Sequence, residues 1–442
     1  MKLFYVLVIL IIFQSCSFDN KTGIWKNENS ISNKDNDLFN EFKKISISED
    51  NFNEEITLKK SFKFQKSNPV DNFQWNDIFY SKNNNLKNFK YNYLNRIIFK
   101  SKKITRHKVN NYLLFEENNL IVSDQKGNII VFSINKNKMI SKFNFYKKQF
   151  KKIKKNLNYI VENNIIYVSD NIGYVYAFDY KNNKILWAKN YKIPFRSNLK
   201  ILDNKIMLSN QNNNLYFLNK KSGNILKLIP TEETIVKNKF INSLSINKND
   251  TLLFLNSYGS LYSINVKTMR INWFINLNQT LDLNPSNLFF GTQIVNNENK
   301  VIISSLNKTY IIDSSNGFIE YKYNFSSLIK PLIHKNIVFF VTKNNLLISL
   351  NLNNGKIVYS YDINKQIAEF FNVNKKNAFF KNIMLLNNDI IIFLQNSYTL
   401  NFNINGKLKD VSKLPSKINT YPIIIDGSIL YLDKKNKISI IN

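Results

Sequence analysis

Groups able to do covalent or acid–base chemistry are few in this chain. Its 442 residues include one cysteine, Cys16, and two histidines, His107 and His334. Histidines so far apart, with no second thiol, offer little from which to build a zinc site or a histidine-dependent triad. No G-x-x-x-x-G-K-[ST], G-x-S-x-G or H-E-x-x-H motif occurs. Cys16 stands apart because of what precedes it. Lys2 is followed by an unbroken apolar run from Leu3 to Phe13, then Gln14 and Ser15. That run is too short to cross a bilayer, which takes about 20 residues, and it fits the core of an export signal. A lone exported cysteine has no internal disulfide partner, so its thiol is free for modification.

The rest of the chain is organised by a repeat. Ile165 to Asn190 reads as an apolar strand, a turn ending in Gly173, a second apolar strand closing on Asp179, a polar turn, and a short strand carrying Trp187. Such a unit exposes apolar side chains on both faces and is stable only between similar sheets. Positions equivalent to Gly173 fall at Gly127, Asn213, Gly259, Asn307, Asn345, Ser397 and Asn436, about 44 residues apart on average. That is the length of a four-stranded propeller blade with its connections, and it gives eight copies. Fourteen residues beyond the turn stands Trp187, Trp273, Tyr321 or Tyr359 in four copies, against Ser141, Lys227 and Val411 in three. An aromatic at a fixed place fills the gap between neighbouring sheets. Seven of the ten glycines sit at one of the two blade turns, where φ > 0 is wanted.

Three segments follow from this frame. Residues 1–15 are the signal peptide and 16–70 a lipidated tether, largely disordered, with a short helix expected around Asp37 to Lys44. Residues 71–442 are the propeller. The chain ends at Asn442, on the second strand of the last copy, so that blade lacks its outer strand. Asp71 to Lys82, with Trp75, is expected to supply it and so to remove a free sheet edge. The expected class is thus all-β, an eight-bladed propeller of four-stranded antiparallel blades closed by an N-terminal strand. The formal charge of +31 does not carry a nucleic-acid reading. Lys, Asn and Ile abound throughout, including in the turns, and an exported protein meets little nucleic acid. Contact of the basic surface with anionic lipid or an acidic partner remains as an expectation.

Repeats of the form apolar strand, N/D-x-x-G, strand ending in D/N, Gly-containing turn, I-x-W resemble the pyrroloquinoline-quinone-type propeller repeat; the G-H and W-D landmarks of WD40 repeats are missing. Ser15 before Cys16 resembles a bacterial lipobox, although Phe13 and Gln14 replace its usual Leu and Ala or Ser. Ser17 after the cysteine, by the sorting known from enteric bacteria, implies the outer membrane. Together these features resemble the outer-membrane β-barrel assembly lipoprotein family of BamB over residues 71 to 442.

The resemblance implies a non-enzymatic scaffold without catalytic residues, metal or cofactor. It would be lipid-anchored at Cys16 on the periplasmic face of the outer membrane, a monomer within a hetero-complex. Its partners would be a BamA-like barrel insertase and other assembly subunits. Family contacts are made by loops joining the third to the fourth blade and the fourth to the fifth, here Leu228 to Ser243 and Leu277 to Ser286. Asp282 matches the first of two family acids and Asn284 stands at the second. The first loop lacks the family's arginine, and Lys237 and Lys239 are the cations available in its place, without the bidentate geometry of Arg. Two alternatives belong to other classes. A quinone-dependent dehydrogenase would need clustered carboxylates for its metal and adjacent cysteines, which the repeats do not show. A generic exported propeller would bind peptide or glycan on the ring axis.

Overall fold

The computed structural model describes the backbone of residues 16–18 and 25–27, and residues 51–146, 150–233, 240–278 and 288–442. Met1–Asp50 and Asn51–Asn442 form two compact units. In the first, Cys16–Phe18 pairs antiparallel with Trp25–Asn27. The rest of the expected signal peptide and tether, including the helix around Asp37 to Lys44, lies outside the described residues.

In the second unit each repeat folds into four antiparallel strands joined by tight hairpins. The second blade is Leu157–Glu162, Ile165–Asp170, Tyr174–Asp179 and Lys184–Asn190, paired in chain order. Its middle strands are apolar on both faces because other blades cover both, and its outermost strand is mostly exposed. Eight such sheets occur among the described residues, their innermost strands beginning at Leu114, Leu157, Lys200, Ser243, Val295, Leu332, Phe380 and Ile423. Seven of the eight aligned turn positions adopt positive φ, from 56° at Asn436 to 109° at Gly173. Asn307, in a degenerate copy, is not among them.

The fixed aromatic has a partner that the sequence leaves unpaired. Trp187 lies on the second-turn glycine of the next blade: a Cβ added to Gly223 would stand 2.5 Å from its ring. The same holds for Trp273 on Gly317, Tyr321 on Gly355 and Tyr359 on Gly406, at 2.3 to 2.5 Å. Where the aromatic is missing, the next turn is not glycine. Ser141 faces Asn183 and hydrogen-bonds it at 3.0 Å, and the blade after Lys227 turns at Met269, φ 54°. At these four joints ring and glycine form one unit, because a Cβ at the turn would stand inside the ring's contact distance.

Closure is made by an N-terminal strand, as expected, but not by the expected one. Ile97–Lys103 is the outer strand of the eighth blade, pairing antiparallel with Lys437–Ile441 through Ile440↔Phe99 and Ser439↔Lys100. Phe99 takes the register position that Trp187 takes against Ala177 in the second blade. The strand's lysines suit an outermost edge, where charge discourages further pairing. Trp75 is 4% exposed and belongs to the ring axis.

Residues 51–70, read from the sequence as the end of the tether, are laid on the ring. Ile56 forms an antiparallel bridge with Ser360, and the Leu58 N–H donates to the Tyr361 hydroxyl at 2.9 Å. Phe62 and Phe64 pack against the core. The helix Ile363–Phe371 precedes the seventh blade, capped by the Asp362 side chain, which accepts from the Lys365 N–H.

Candidate functional site

Within its own repeat the innermost strand of each blade has no neighbour on its axial side, so these strands turn N–H and C=O groups toward one channel. The segment from Asn72 to Phe89 satisfies them in turn. Asn72 donates to the Ile424 carbonyl at 2.7 Å and accepts through its own carbonyl from the Asp426 N–H. Trp75 exchanges two backbone hydrogen bonds with Phe115, and the Val161 N–H donates to the Asn76 carbonyl. Asn84 donates to the carbonyls of Leu244 and Ile294, both at 2.9 Å. Asn85 both donates to and accepts from Ile333. Asn88 and Phe89 run parallel to Leu385 and Leu386 as a fifth strand of the seventh blade. An asparagine amide carries two N–H donors and a carbonyl acceptor, so one side chain can satisfy groups on two strands at once, as Asn84 does, which is why this Asn-rich stretch can act as a hub for strands it cannot all extend.

One contact of the hub is ionic. The Lys200 ammonium lies 2.7 Å from the Asp77 carboxylate, with both side chains buried, and also donates to the Ser81 carbonyl at 2.9 Å. Burial pushes the Lys200 pKa down, and Lys82 adds to this, while Asp77 opposes it.

Most hub bonds gather toward the far ends of the inner strands; the residues leading into those strands line a cavity of about 270 Å³. Trp75, Ile78, Phe79 and Leu86 of the hub form its floor, and Tyr112, Phe290 and Tyr421 stand in its wall. Lys330, Lys343 and Lys381 are its charged lining groups, and no carboxylate lines it among the described residues. Lys330 donates to the Asn84 carbonyl and sits 5.4 Å from the Phe79 ring centroid. Burial first, then the Lys200 cation, lower its pKa to about 7 against the pull of Asp77.

The four residues expected to meet a partner, Lys237, Lys239, Asp282 and Asn284, lie outside the described residues. What is described is how the first of their two loops is rooted. The Glu232 carboxylate accepts from the Ser260 hydroxyl at 2.7 Å, the Tyr262 hydroxyl at 2.8 Å and the Asn256 amide at 2.9 Å. Burial works against the carboxylate, but these bonds outweigh it and hold its pKa below the ordinary value. The second loop leads into Phe290 to Gln293, part of the funnel wall. His334 is buried beside the Gln65 carbonyl, at 3.2 Å, and His107 lends its carbonyl to Asn436. Neither histidine is among the lining residues. No group of three His, Cys, Asp or Glu converges to hold a metal ion among the described residues. Nor is any described helix long and apolar enough to cross a membrane.

The hub and the funnel lysines escaped the sequence reading. The first part of Asn72 to Phe89 reads in the sequence as the closing strand, and its role on the axis appears only when distant inner strands are brought together. The aromatics Trp75, Phe79 and Phe89 within it were the available signal.

Comparison with known proteins gives three results. A family model described as outer membrane protein assembly factor BamB matches residues 125–361. No curated protein matches. Among solved structures, BamB from Moraxella catarrhalis superposes with a TM-score of 0.61 at 10% identity, covering 78% of this chain and 99% of that one. The quinohemoprotein alcohol dehydrogenase of Comamonas testosteroni gives 0.60 at 8% identity over 83% of this chain and 80% of that one. A europium-containing methanol dehydrogenase gives 0.61 at 10% identity over 83% and 89%. At these identities the structural likenesses establish the propeller, which assembly factors and dehydrogenases share. The described lining of the funnel carries three lysines and no carboxylate, so these residues do not supply the oxygen ligands a dehydrogenase's metal takes.

Proposed function

The chain belongs to the family of the outer membrane protein assembly factor BamB, and from that premise we propose that it is a non-catalytic scaffold in the assembly of outer-membrane β-barrel proteins. Its partner in this reading is the periplasmic portion of a BamA-like insertase. The observation that carries it is the family match over residues 125–361, which takes in both blade-connecting loops. The hub supports the same reading, because the channel floor is occupied by the chain's own backbone-satisfying segment. Glu232 and its three donors fix one end of the first loop, so the loop is presented from a rigid base. Cys16 is the anchor: several acyl chains on one cysteine hold a protein stably at a membrane where a single chain does not. The protein would then work at the periplasmic face of the outer membrane.

Photo-crosslinking tests the interface. A photoreactive residue placed at Lys237, Lys239, Asp282 or Asn284 in the lipidated protein is expected to capture the insertase's periplasmic domains. A crosslinker in the outer strand of the second blade, at Lys189, is expected not to. Equal capture from both places, or from neither, would remove these loops from the interface.

A further inference from the structure

The funnel pairs an apolar, aromatic interior with cations that have no anionic partner among the described residues. Lys381 donates to the Asn419 carbonyl at 2.8 Å and stands 5.1 Å from the Tyr421 ring centroid. Lys343 donates to the Leu306 carbonyl. For Lys330, the Asn84 carbonyl is the one protein acceptor among the described residues. The acid whose charge acts on Lys330 is Asp77, and it is already paired with Lys200. Three ammonium groups thus face one cavity with only carbonyls and rings as partners among the described residues. Holding a cation in such surroundings costs desolvation energy, which an anion of suitable shape would offset by pairing with it.

We propose that the funnel binds a small organic anion with an apolar body, an aryl or branched aliphatic carboxylate. Its carboxylate meets the Lys330 ammonium and its body rests on Ile78, Phe79 and Leu86. A cavity of about 270 Å³ holds one such molecule and excludes a folded partner. The walls give the ligand its affinity through apolar burial, and the lysines choose the charged form over a neutral one. Lys343 and Lys381, nearer the mouth, add attraction without a fixed geometry, as point charges on flexible stems do. This site is independent of the scaffold reading, since the ligand-bearing residues come from the axis rather than from the two loops.

The pH dependence has a definite sign. The titratable groups facing Lys330 are Lys200, Asp77, Lys343 and Lys381, with the Tyr112 and Tyr421 phenols raised by burial. Lys330 titrates near 7 without ligand. A carboxylate beside it favours the protonated form, so binding above that pH takes up a proton and weakens as pH rises, by up to about tenfold per pH unit.

The test uses the full lipidated protein in detergent, titrated calorimetrically with 2-naphthoate and with 2-naphthylmethanol, its neutral counterpart. Naphthoate is expected to bind at least tenfold more tightly at pH 6.5, with the preference shrinking by pH 8.5. Lys330→Met should abolish the preference while leaving the alcohol's affinity unchanged, and Lys330→Arg should retain it. Equal affinities for the two probes, binding of neither, or an anion preference that survives Lys330→Met would each overturn the proposal. The comparison of probes on the unaltered protein stands even if a variant folds poorly. Capture of an insertase is a separate readout, so failure here leaves the scaffold reading untouched.

Discussion

Replacing Gly223 by alanine should damage the joint between the second and third blades, and the structure sets how much. Gly223 has φ 70°, where a residue with a Cβ pays about 1–2 kcal/mol. The new Cβ would lie 2.5 Å from the Trp187 ring, which is buried and fixed by its Nε1–H donating to the Lys220 carbonyl at 2.9 Å. Overpacking of this kind costs about 1–3 kcal/mol. The expected loss is therefore about 2–5 kcal/mol, read as a lower urea midpoint at unchanged slope. Asn183→Ala, at the turn that faces Ser141 instead of an aromatic, should cost about 0.5–1.5 kcal/mol, the share of its hydrogen bond to Ser141, since φ is already positive there and no ring stands in the way. The decisive comparison is a double-mutant cycle. In a Trp187→Ala background the overpacking disappears, so Gly223→Ala should cost only the backbone share, leaving a coupling of about 1–3 kcal/mol. Additive losses would refute the claim that ring and glycine are one joint.

Other consequences can be checked on the same protein. A chain beginning at Asn83 keeps the closing strand but loses Trp75 and the Asp77–Lys200 pair, and should melt lower yet in one transition; a chain beginning at Ile104 loses the outer strand of the eighth blade and should lose cooperativity or associate through the bared edge. Asp77→Ala leaves a buried ammonium and should cost about 3–5 kcal/mol, most of it recovered in Asp77→Leu with Lys200→Met. For Lys330 the folded pKa, about 7, lies below the unfolded value, so the unfolded state binds more protons between the two and stability rises with pH across that window. Lys330→Met should accordingly be more stable than the parent at pH 6 in denaturant melts, with the gap closing toward pH 10; a gap that is constant with pH would show that Lys330 titrates normally.

The repeat was legible because its cause is local. Most blades turn with positive φ and several carry an aromatic at one register position, and Gly127, Gly173, Gly259 and Trp187 display these in the sequence. Closure was legible in kind and misplaced in position. Trp75 drew the assignment because tryptophan marks the outer strand elsewhere, whereas Phe99, within Ile97–Lys103, occupies that place. The tether's last third was misread for a similar reason: Phe52, Phe62 and Phe64 look isolated among polar residues, yet each packs on the ring. The hub and funnel could not be read at all from spacing. Lys330, Lys381 and Tyr421 come from three blades, and the hub's partners lie far along the chain, 352 residues away between Asn72 and Ile424. Only the folded ring brings them together.

The central claim, that this propeller is a scaffold for a barrel insertase, is tested most directly by affinity capture. The tagged lipidated protein is drawn from detergent-solubilised outer membranes and the co-eluting proteins are identified by mass. The account predicts a stoichiometric BamA-like barrel protein with its periplasmic domains, lost when the loops at 234–239 and 279–287 are shortened together while the ring still melts cooperatively. Recovery of the propeller without any such partner, or of a partner indifferent to both loops, would contradict it.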